Sequence, residues 1–386
     1  VKALILTHHQ PFEELNGASQ RTRNIAFQLA QSGAQVTVVS IVSPKRKLKV
    51  PRSPIANIKV IEIANPLQWS EKTVPDNLIP PYLLTASLNY IFLSNRLISE
   101  KMDVVIAESP WVWGIARRIR TQLTVLNAQN CESDWNEIYL KRPFVSNFGR
   151  NWLRKIEKKA CREADHILTV TEEDSGRLCE LYGPFPENPT VIPNGFEQTS
   201  QSLELTPVEK LKIKQQLNLP THKKVALFVA SETPHNKEAL TKLTELMTQK
   251  IEESWIFLVA GNITKTGEKL KNGIYCLGEQ RNLAPFFQIS NLFLNPILNG
   301  SGSNVKVIEA LGYGLPVIST PKGARGLPQN LSGLNIAAIE NFDQYLDNPS
   351  TLSLPDSKQI KSFDWRQIGN NLSKYLETWL NESRQS

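Results

Sequence analysis

The sequence predicts an α/β protein built as two doubly wound halves, and three observations carry this. Short apolar runs at residues 2–7, 34–41, 103–107 and 123–128 alternate with helical patterns, as parallel strands covered on both faces do. The alternation restarts at 224–230 after a linker and a charged helix over 197–221, and continues through 256–260, 274–277 and 292–294. The chain has 386 residues, too many for one typical core and suited to two domains.

The bulk numbers exclude several classes. Hydrophobic residues make up 40% and charged residues 21%, ordinary for a soluble globular protein. Cys131, Cys161, Cys179 and Cys276 show no C-x-x-C spacing, so neither a zinc site nor a disulfide framework is suggested. Reduced thiols in the cytoplasm are the default for such cysteines. None of the five His stands at H-x-x-x-H spacing, which argues against a dedicated metal site. The longest apolar stretch, 82–93, is shorter than the roughly 20 residues a bilayer span needs. The chain opens directly on a strand, so no secretory signal is expected. Residues 1–162 hold 23 Lys/Arg against 12 Asp/Glu, a net +11, whereas the remainder holds 21 against 25, a net −4. This asymmetry suggests an anionic partner for the N-terminal part: a phosphorylated lipid, an acidic glycan or a membrane surface. No nucleic-acid-binding motif accompanies it, and nucleic acid is not expected as a partner.

In chain order, the first strand leads into a long polar loop, 8–18, containing His8, His9, Pro11 and Gly17. A helix follows over 19–32, with Ile25, Ala26, Leu29 and Ala30 on one face and Gly33 as terminator. The loop lacks G-x-G-x-x-G, which argues against a dinucleotide-dependent dehydrogenase. Lys45, Arg46, Lys47, Lys49 and Arg52 form a basic cluster, a solvated loop or an anion contact. Residues 66–93 are irregular and then apolar, reading as an acceptor-side loop and helix or as plain core helix. The strand at 103–107 delivers Glu108, Ser109, Pro110 and Trp111 to its C-terminal edge, where ligands sit in open α/β sheets. Glu108 can bond an acceptor hydroxyl or act as a base, or it can be a structural carboxylate. Glu132, at the end of the next strand, carries the same ambiguity. A basic helix over 150–163 has Trp152, Leu153, Ile156 and Ala160 as its apolar stripe. The tail, 362–380, places Phe363, Trp365, Ile368, Leu372, Leu376 and Trp379 in helical register.

The most informative stretch is 295–326. Gly300, Ser301, Gly302 and Ser303 form a small-residue loop, and a helix begins near Asn304 with Val305, Ile308 and Leu311 at helical spacing. Such a loop lets backbone N–H groups approach an anion, and the helix dipole points the same way. Lys306 and Glu309 lie three apart on one helix face.

This stretch resembles the C-terminal signature of family 4 retaining glycosyltransferases of the GT-B fold. There a loop and helix of this form hold the donor diphosphate, and a helix Glu binds the ribose. Glu309 falls at that Glu, followed by the matching Ala-Leu-Gly-Tyr-Gly-Leu-Pro-Val-Ile-Ser-Thr. Many members carry a second Glu eight positions earlier, where this chain has Ser301. Where the family clamps the diphosphate with Arg and Lys, this chain has Ser231 and Lys237. The resemblance implies two Rossmann-like domains facing a central cleft, with the C-terminal helix crossing back to the N-terminal domain. It implies an acceptor-binding domain over 1–196, completed by the helix at about 366–386, and a nucleotide-sugar donor domain over 197–365. By the same resemblance the donor contacts are Gly17, Gln280, Leu283, Gly300, Ser301, Gly302, Ser303, Asn304, Lys306 and Glu309. The catalytic candidates are Glu108, Lys237 and Glu309, and the acceptor candidates are His8, His9 and Glu132. The implied activity is transfer of a sugar from a nucleotide-diphosphate sugar to a hydroxyl of a glycan, lipid-linked or small-molecule acceptor in polysaccharide biosynthesis. Retention of configuration follows from the resemblance. No cofactor or metal is expected, and a cytoplasmic, peripheral membrane location is. The departures at Ser231 and Ser301 leave two alternatives: a nucleotide-sugar-binding protein without transferase activity, and a sugar-nucleotide epimerase.

Overall fold

The computed structural model describes residues 1–13, 17–42, 57–64, 101–137, 143–197, 205–250, 254–268, 270, 273–299 and 305–385. The chain divides into two compact units, Val1–Pro193 with Trp365–Ser386, and Asn194–Asp364.

In the first unit, the four apolar runs become β1 (Lys2–Thr7), β2 (Gln35–Val42), β4 (Met102–Glu108) and β5 (Thr121–Ala128), and β3 (Ile58–Ala64), β6 (His166–Thr169) and β7 (Thr190–Val191) join them. They form one sheet in the order β3-β2-β1-β4-β5-β6-β7, every neighbouring pair parallel. The helices are α1 (Gly17–Gln31), α2 (Trp113–Ala116), α3 (Glu132–Glu137), α4 (Pro143–Glu163) and α5 (Glu172–Tyr182). Strand side chains alternate between faces. Ala3, Ile5, Val36, Val38, Val104 and Ile106 pack with Ile25 and Leu29 of α1 on one side. Leu4, Leu6, Val39, Ile41, Val105 and Ala107 pack with Ile115 and Tyr182 on the other.

In the second unit, β8 (Lys224–Val229), β9 (Trp255–Ala260), β10 (Ile274–Gly278), β11 (Leu292–Asn295), β12 (Val317–Ser319) and β13 (Leu334–Ile336) form a parallel sheet in the order β10-β9-β8-β11-β12-β13. Its helices are α6 (Pro207–Gln216), α7 (Pro234–Lys250), α8 (Ala284–Ile289), α9 (Val305–Gly312), α10 (Phe342–Asp347) and α11 (Ser357–Ile360). The charged helix expected over 197–221 is α6, which starts on a capping box between Thr206 and Glu209.

The last helix, α12 (Trp365–Ser383), returns to the first unit. Its buried residues Trp365, Ile368, Leu372, Leu376, Trp379 and Leu380 recur every three or four positions and join the core shared by α1 and the sheet. Gly369 permits the close approach to α1, because a Cβ there would collide with the Gln28 side chain. The helix starts later than the sequence pattern suggests, since residues 361–363 form a 3₁₀ turn. β3, β6, β7 and β13 are strands that the sequence reading does not name. The basic cluster at 45–52 and the stretch 66–93 lie outside the described residues. Among the described residues no helix is long and apolar enough to cross a membrane.

Each sheet has one point where the chain's connections diverge to opposite sides. In the first it lies between β1 and β4, and in the second between β8 and β11. Loops leaving the C-terminal ends of such strand pairs frame the ligand crevice of open α/β sheets.

Candidate active site

At the first divergence point the sheet turns polar. Thr7 aligns with Ser40, and Glu108 with Asn127, across the strand ends, all buried. The Glu108 carboxylate accepts from Asn127 Nδ2 at 3.0 Å to each oxygen and from Gln129 Nε2 at 2.6 Å. Arg21 of α1, also buried, donates to Asn127 Oδ1 at 3.0 Å and to the Pro193 carbonyl at 3.2 Å. Burial pushes the Glu108 carboxyl up, opposed by the Asn127 hydrogen bond and the Arg21 charge. Burial likewise lowers Arg21 to about 10, with Glu108 opposing. Glu108, expected among the catalytic residues, therefore ties β4, β5 and α1 together beneath the strand ends. Of the two roles the sequence leaves open for it, this geometry suits the structural one.

Above this layer stand His8 and His9, with ring centroids 3.7 Å apart. Ser109, the residue after β4, brings its Oγ to 3.2 Å from His8 Nδ1. Gly17 opens α1 and is exposed. Glu132, at the start of α3, donates its backbone N–H to Glu157 Oε1 at 2.6 Å. The Glu157 carboxylate also accepts from the Ser133 N–H at 3.1 Å, and from Ser133 Oγ and the Tyr182 hydroxyl at 2.6 Å each. Glu157 thereby anchors the start of α3. The sequence reading passes over it, although its place four residues after Leu153 and three before Ala160 puts it on the inward stripe of α4.

At the second divergence point, the turn after β8 is fixed by Glu232 N–H to Asn262 Oδ1 at 2.8 Å and Asn236 Nδ2 to the Ser231 carbonyl at 2.8 Å. Lys237 pairs with Glu232 at 2.7 Å, both side chains 58% exposed. Lys306 pairs with Glu309 at 2.7 Å on α9, and these side chains are only 22% and 15% exposed. Asn299 Nδ2 donates to Glu238 Oε2 at 3.2 Å, linking the segment after β11 to the first turn of α7. Gln280 Nε2 donates to the Leu277 carbonyl at 2.7 Å, and Leu283 packs on the core just before α8. Gly300, Ser301, Gly302, Ser303 and Asn304 lie outside the described residues.

A second polar network, not anticipated from the sequence, braces the ends of β11 and β12. Asn295 Nδ2 donates to Ser319 Oγ at 2.9 Å, and the Gly323 N–H donates to Thr320 Oγ1 at 3.0 Å. A Cβ on Gly323 would collide with the Asn295 and Ser319 side chains. The available signal is the glycine placed four residues after the strand. Among the described residues no three His, Cys, Asp or Glu side chains gather in a way that could hold a metal.

Two family models match this chain. Glycosyltransferase Family 4 matches residues 15–199, and Glycosyl transferases group 1 matches residues 223–347. The chain is a glycosyltransferase of this family. No curated protein matches it by sequence. Among solved structures, the enzyme resembles HepE of Anabaena in complex with UDP, at 14% identity over 98% of this chain and all of that one, with a TM-score of 0.66. It resembles a glycosyltransferase of Rickettsia africae at 16% identity over 98% of each chain, also with a TM-score of 0.66. An α,α-trehalose 6-phosphate synthase of Burkholderia multivorans gives a TM-score of 0.68 at 9% identity over 99% of this chain and 98% of that one. The fold is GT-B, with two Rossmann-like units.

Proposed function

We propose that the enzyme moves a sugar from a nucleoside-diphosphate sugar to a hydroxyl of a glycan or lipid-linked acceptor, with retention and without a metal ion. The observation that carries this reading is the Lys306–Glu309 pair, mostly buried on the first turns of α9 beside the second divergence point. A carboxylate there suits two ribose hydroxyls as donors, and the ammonium suits the diphosphate. HepE, of the same fold, has been crystallised with UDP and with UDP-glucose, which supports a donor of this chemical class. The second unit is assigned to the donor and the first to the acceptor, with His8 and His9 as acceptor contacts.

Negative charge grows on the leaving diphosphate as the bond to the sugar breaks. The N-terminal end of α9 and a lysine meet it with fixed positive charge, which is worth most where it need not reorganise. Lys306 is the better placed of the two candidates, because it is partly desolvated whereas Lys237 is held by Glu232 in solvent. This favours Lys306 over Lys237, the residue that stands in the family's clamp region.

The basic N-terminal unit is assigned to an anionic membrane face on the cytoplasmic side. Arg154, Lys155 and Lys158 form an exposed row on α4, suited to acidic headgroups. Four free thiols agree with a reducing compartment.

The test is a panel of sugar nucleotides with glycan and lipid-linked acceptors, run with wild type, Lys237→Ala and Lys306→Ala, with and without EDTA. Transfer that survives EDTA and falls in Lys306→Ala is expected. Activity abolished by EDTA and restored by Mg²⁺ would overturn the metal-free assignment. Wild-type rates in both lysine variants would remove both from the diphosphate site.

A further inference from the structure

The chain runs from the end of β11 at Asn295 to the start of α9 at Val305, and Lys306 and Glu309 stand on the first turns of that helix. The apolar face of α9 is fixed by packing, since Val307, Ile308, Ala310 and Leu311 all belong to the core of the second unit. Its first turn is a different matter. The first N–H groups of a helix have no partner within it, so what precedes the helix decides how that turn is held.

Two anchors hold the beginning of the incoming chain. The outer one is Asn299, which is exposed and donates from Nδ2 to Glu238 Oε2 at 3.2 Å. The inner one is Thr320, the residue after β12, 2% exposed. Its hydroxyl donates to the Ile297 carbonyl and accepts the Gly323 N–H at 3.0 Å. Both directions are fixed by chemistry, because a carbonyl only accepts and a backbone N–H only donates. The Thr320 backbone is itself tied down: its N–H donates to the Asn295 carbonyl at 3.2 Å, and its carbonyl accepts the Ala324 N–H at 2.9 Å. The anchors differ in weight. A bond to an exposed carboxylate competes with water and contributes little. Loss of the Thr320 hydroxyl would leave the buried Gly323 N–H without its acceptor and release Ile297.

We propose that Thr320 is a positioning residue for the donor site: through Ile297 it sets the course of the chain that feeds α9, and so the place of Lys306 and Glu309, without touching the donor itself. This rests on the assignment of Lys306 and Glu309 to the donor. The hydroxyl is the working part. Serine at this position retains both bonds, whereas valine keeps the shape of threonine and makes neither.

The experiment compares wild type, Thr320→Val and Thr320→Ser by calorimetry with UDP, GDP and ADP, by transfer kinetics and by amide hydrogen exchange. Thr320→Cys, whose thiol is a weak donor, is run beside them and decides the matter should the valine variant not fold. Thr320→Val is expected to bind the nucleotide that wild type prefers about tenfold more weakly, less than the hundredfold that an ångström of misplacement can cost. Donor KM should rise with it and acceptor KM should not. Thr320→Cys should lose about threefold in the same way, and Thr320→Ser should stay within about twofold of wild type. Exchange of the Gly323 amide should quicken in Thr320→Val and not in Thr320→Ser. Unchanged donor binding in Thr320→Val and Thr320→Cys overturns the proposal. So does an equal loss in Thr320→Ser, which would make shape and not the hydroxyl responsible, or a loss shared by donor and acceptor KM, which would mark a general weakening of the fold. Wild type that binds none of the three nucleotides overturns the donor assignment and this proposal with it. Wild type that binds one, with Thr320→Val binding it equally, overturns this proposal alone.

Discussion

Replacing Glu309 by Gln tests the donor site at the residue on which its assignment most depends. The Glu309 carboxylate holds the Lys306 ammonium at 2.7 Å, with side chains 15% and 22% exposed, so solvent screens the pair little. Two effects follow from the substitution. A hydrogen bond from a ribose hydroxyl to a carboxylate contributes about 1.5–3 kcal/mol, whereas one to a neutral amide oxygen contributes about 0.5–1.5. The ribose-dependent loss is therefore about 1–2 kcal/mol, roughly 5- to 30-fold in Kd. The neutral amide would also release Lys306, whose ammonium can then turn toward the diphosphate and recover up to about 1 kcal/mol. Calorimetry with a nucleoside diphosphate and its 2′,3′-dideoxy analogue separates the two effects, since the analogue lacks the hydroxyls but keeps the phosphates. The ribose ligand should weaken in Glu309→Gln, and the dideoxy ligand should bind as well as before or slightly better. Adding Lys306→Ala should remove that small gain. Equal weakening of both ligands, or of neither, would refute the ribose assignment.

Gly323→Ala should destabilise the protein by about 1–3 kcal/mol, the usual cost of forcing an atom into a packed site, because its Cβ would press on Asn295 and Ser319. A melting temperature equal to wild type would show that this network yields easily. Glu108 gives a pH signature. Its folded pKa is raised above the ordinary 4.5, so its stabilising contribution is full below that value and is lost as pH rises through the folded pKa. Urea titrations from acid to neutral pH should show wild type losing stability relative to Glu108→Gln over that window, and parallel curves would contradict the burial argument. Flotation with anionic and neutral vesicles tests the membrane assignment. Binding should favour anionic vesicles, weaken with salt and fall in Lys155→Glu/Lys158→Glu, and indifference to vesicle charge would leave a soluble acceptor.

The alternation of strand and helix was legible because buried parallel strands leave continuous apolar runs, as in β1, β4 and β9. β3 was not, although Ile58, Val60, Ile61 and Ile63 supply its strand character. Polar Lys59 and Glu62 interrupt it and a basic cluster precedes it. β13 spans three residues, too few for any period to show. For the site, the spacing put Lys306 and Glu309 on one helical face, where a surface pair between them was one reading, but it did not show that the pair is largely buried. The roles of Glu108 and Glu157 were beyond sequence reasoning for a physical reason. A carboxylate's solvent exposure depends on partners far away in sequence, here Arg21 and Asn127 for one and Ser133 and Tyr182 for the other.

The return of α12 to the first unit makes that unit discontinuous in sequence, with the whole of the second unit inserted between Pro193 and Trp365. During synthesis the second unit is a single uninterrupted segment and can complete its core while the first still lacks Trp365, Ile368, Leu372, Leu376, Trp379 and Leu380. The order of maturation is thus inverted relative to the usual N-terminal-first rule. Until α12 leaves the ribosome, the apolar surface of α1 and the sheet that it covers remains open to other chains. A nascent chain stalled just short of Trp365 should therefore carry a finished second unit and a first unit that a chaperone must shield.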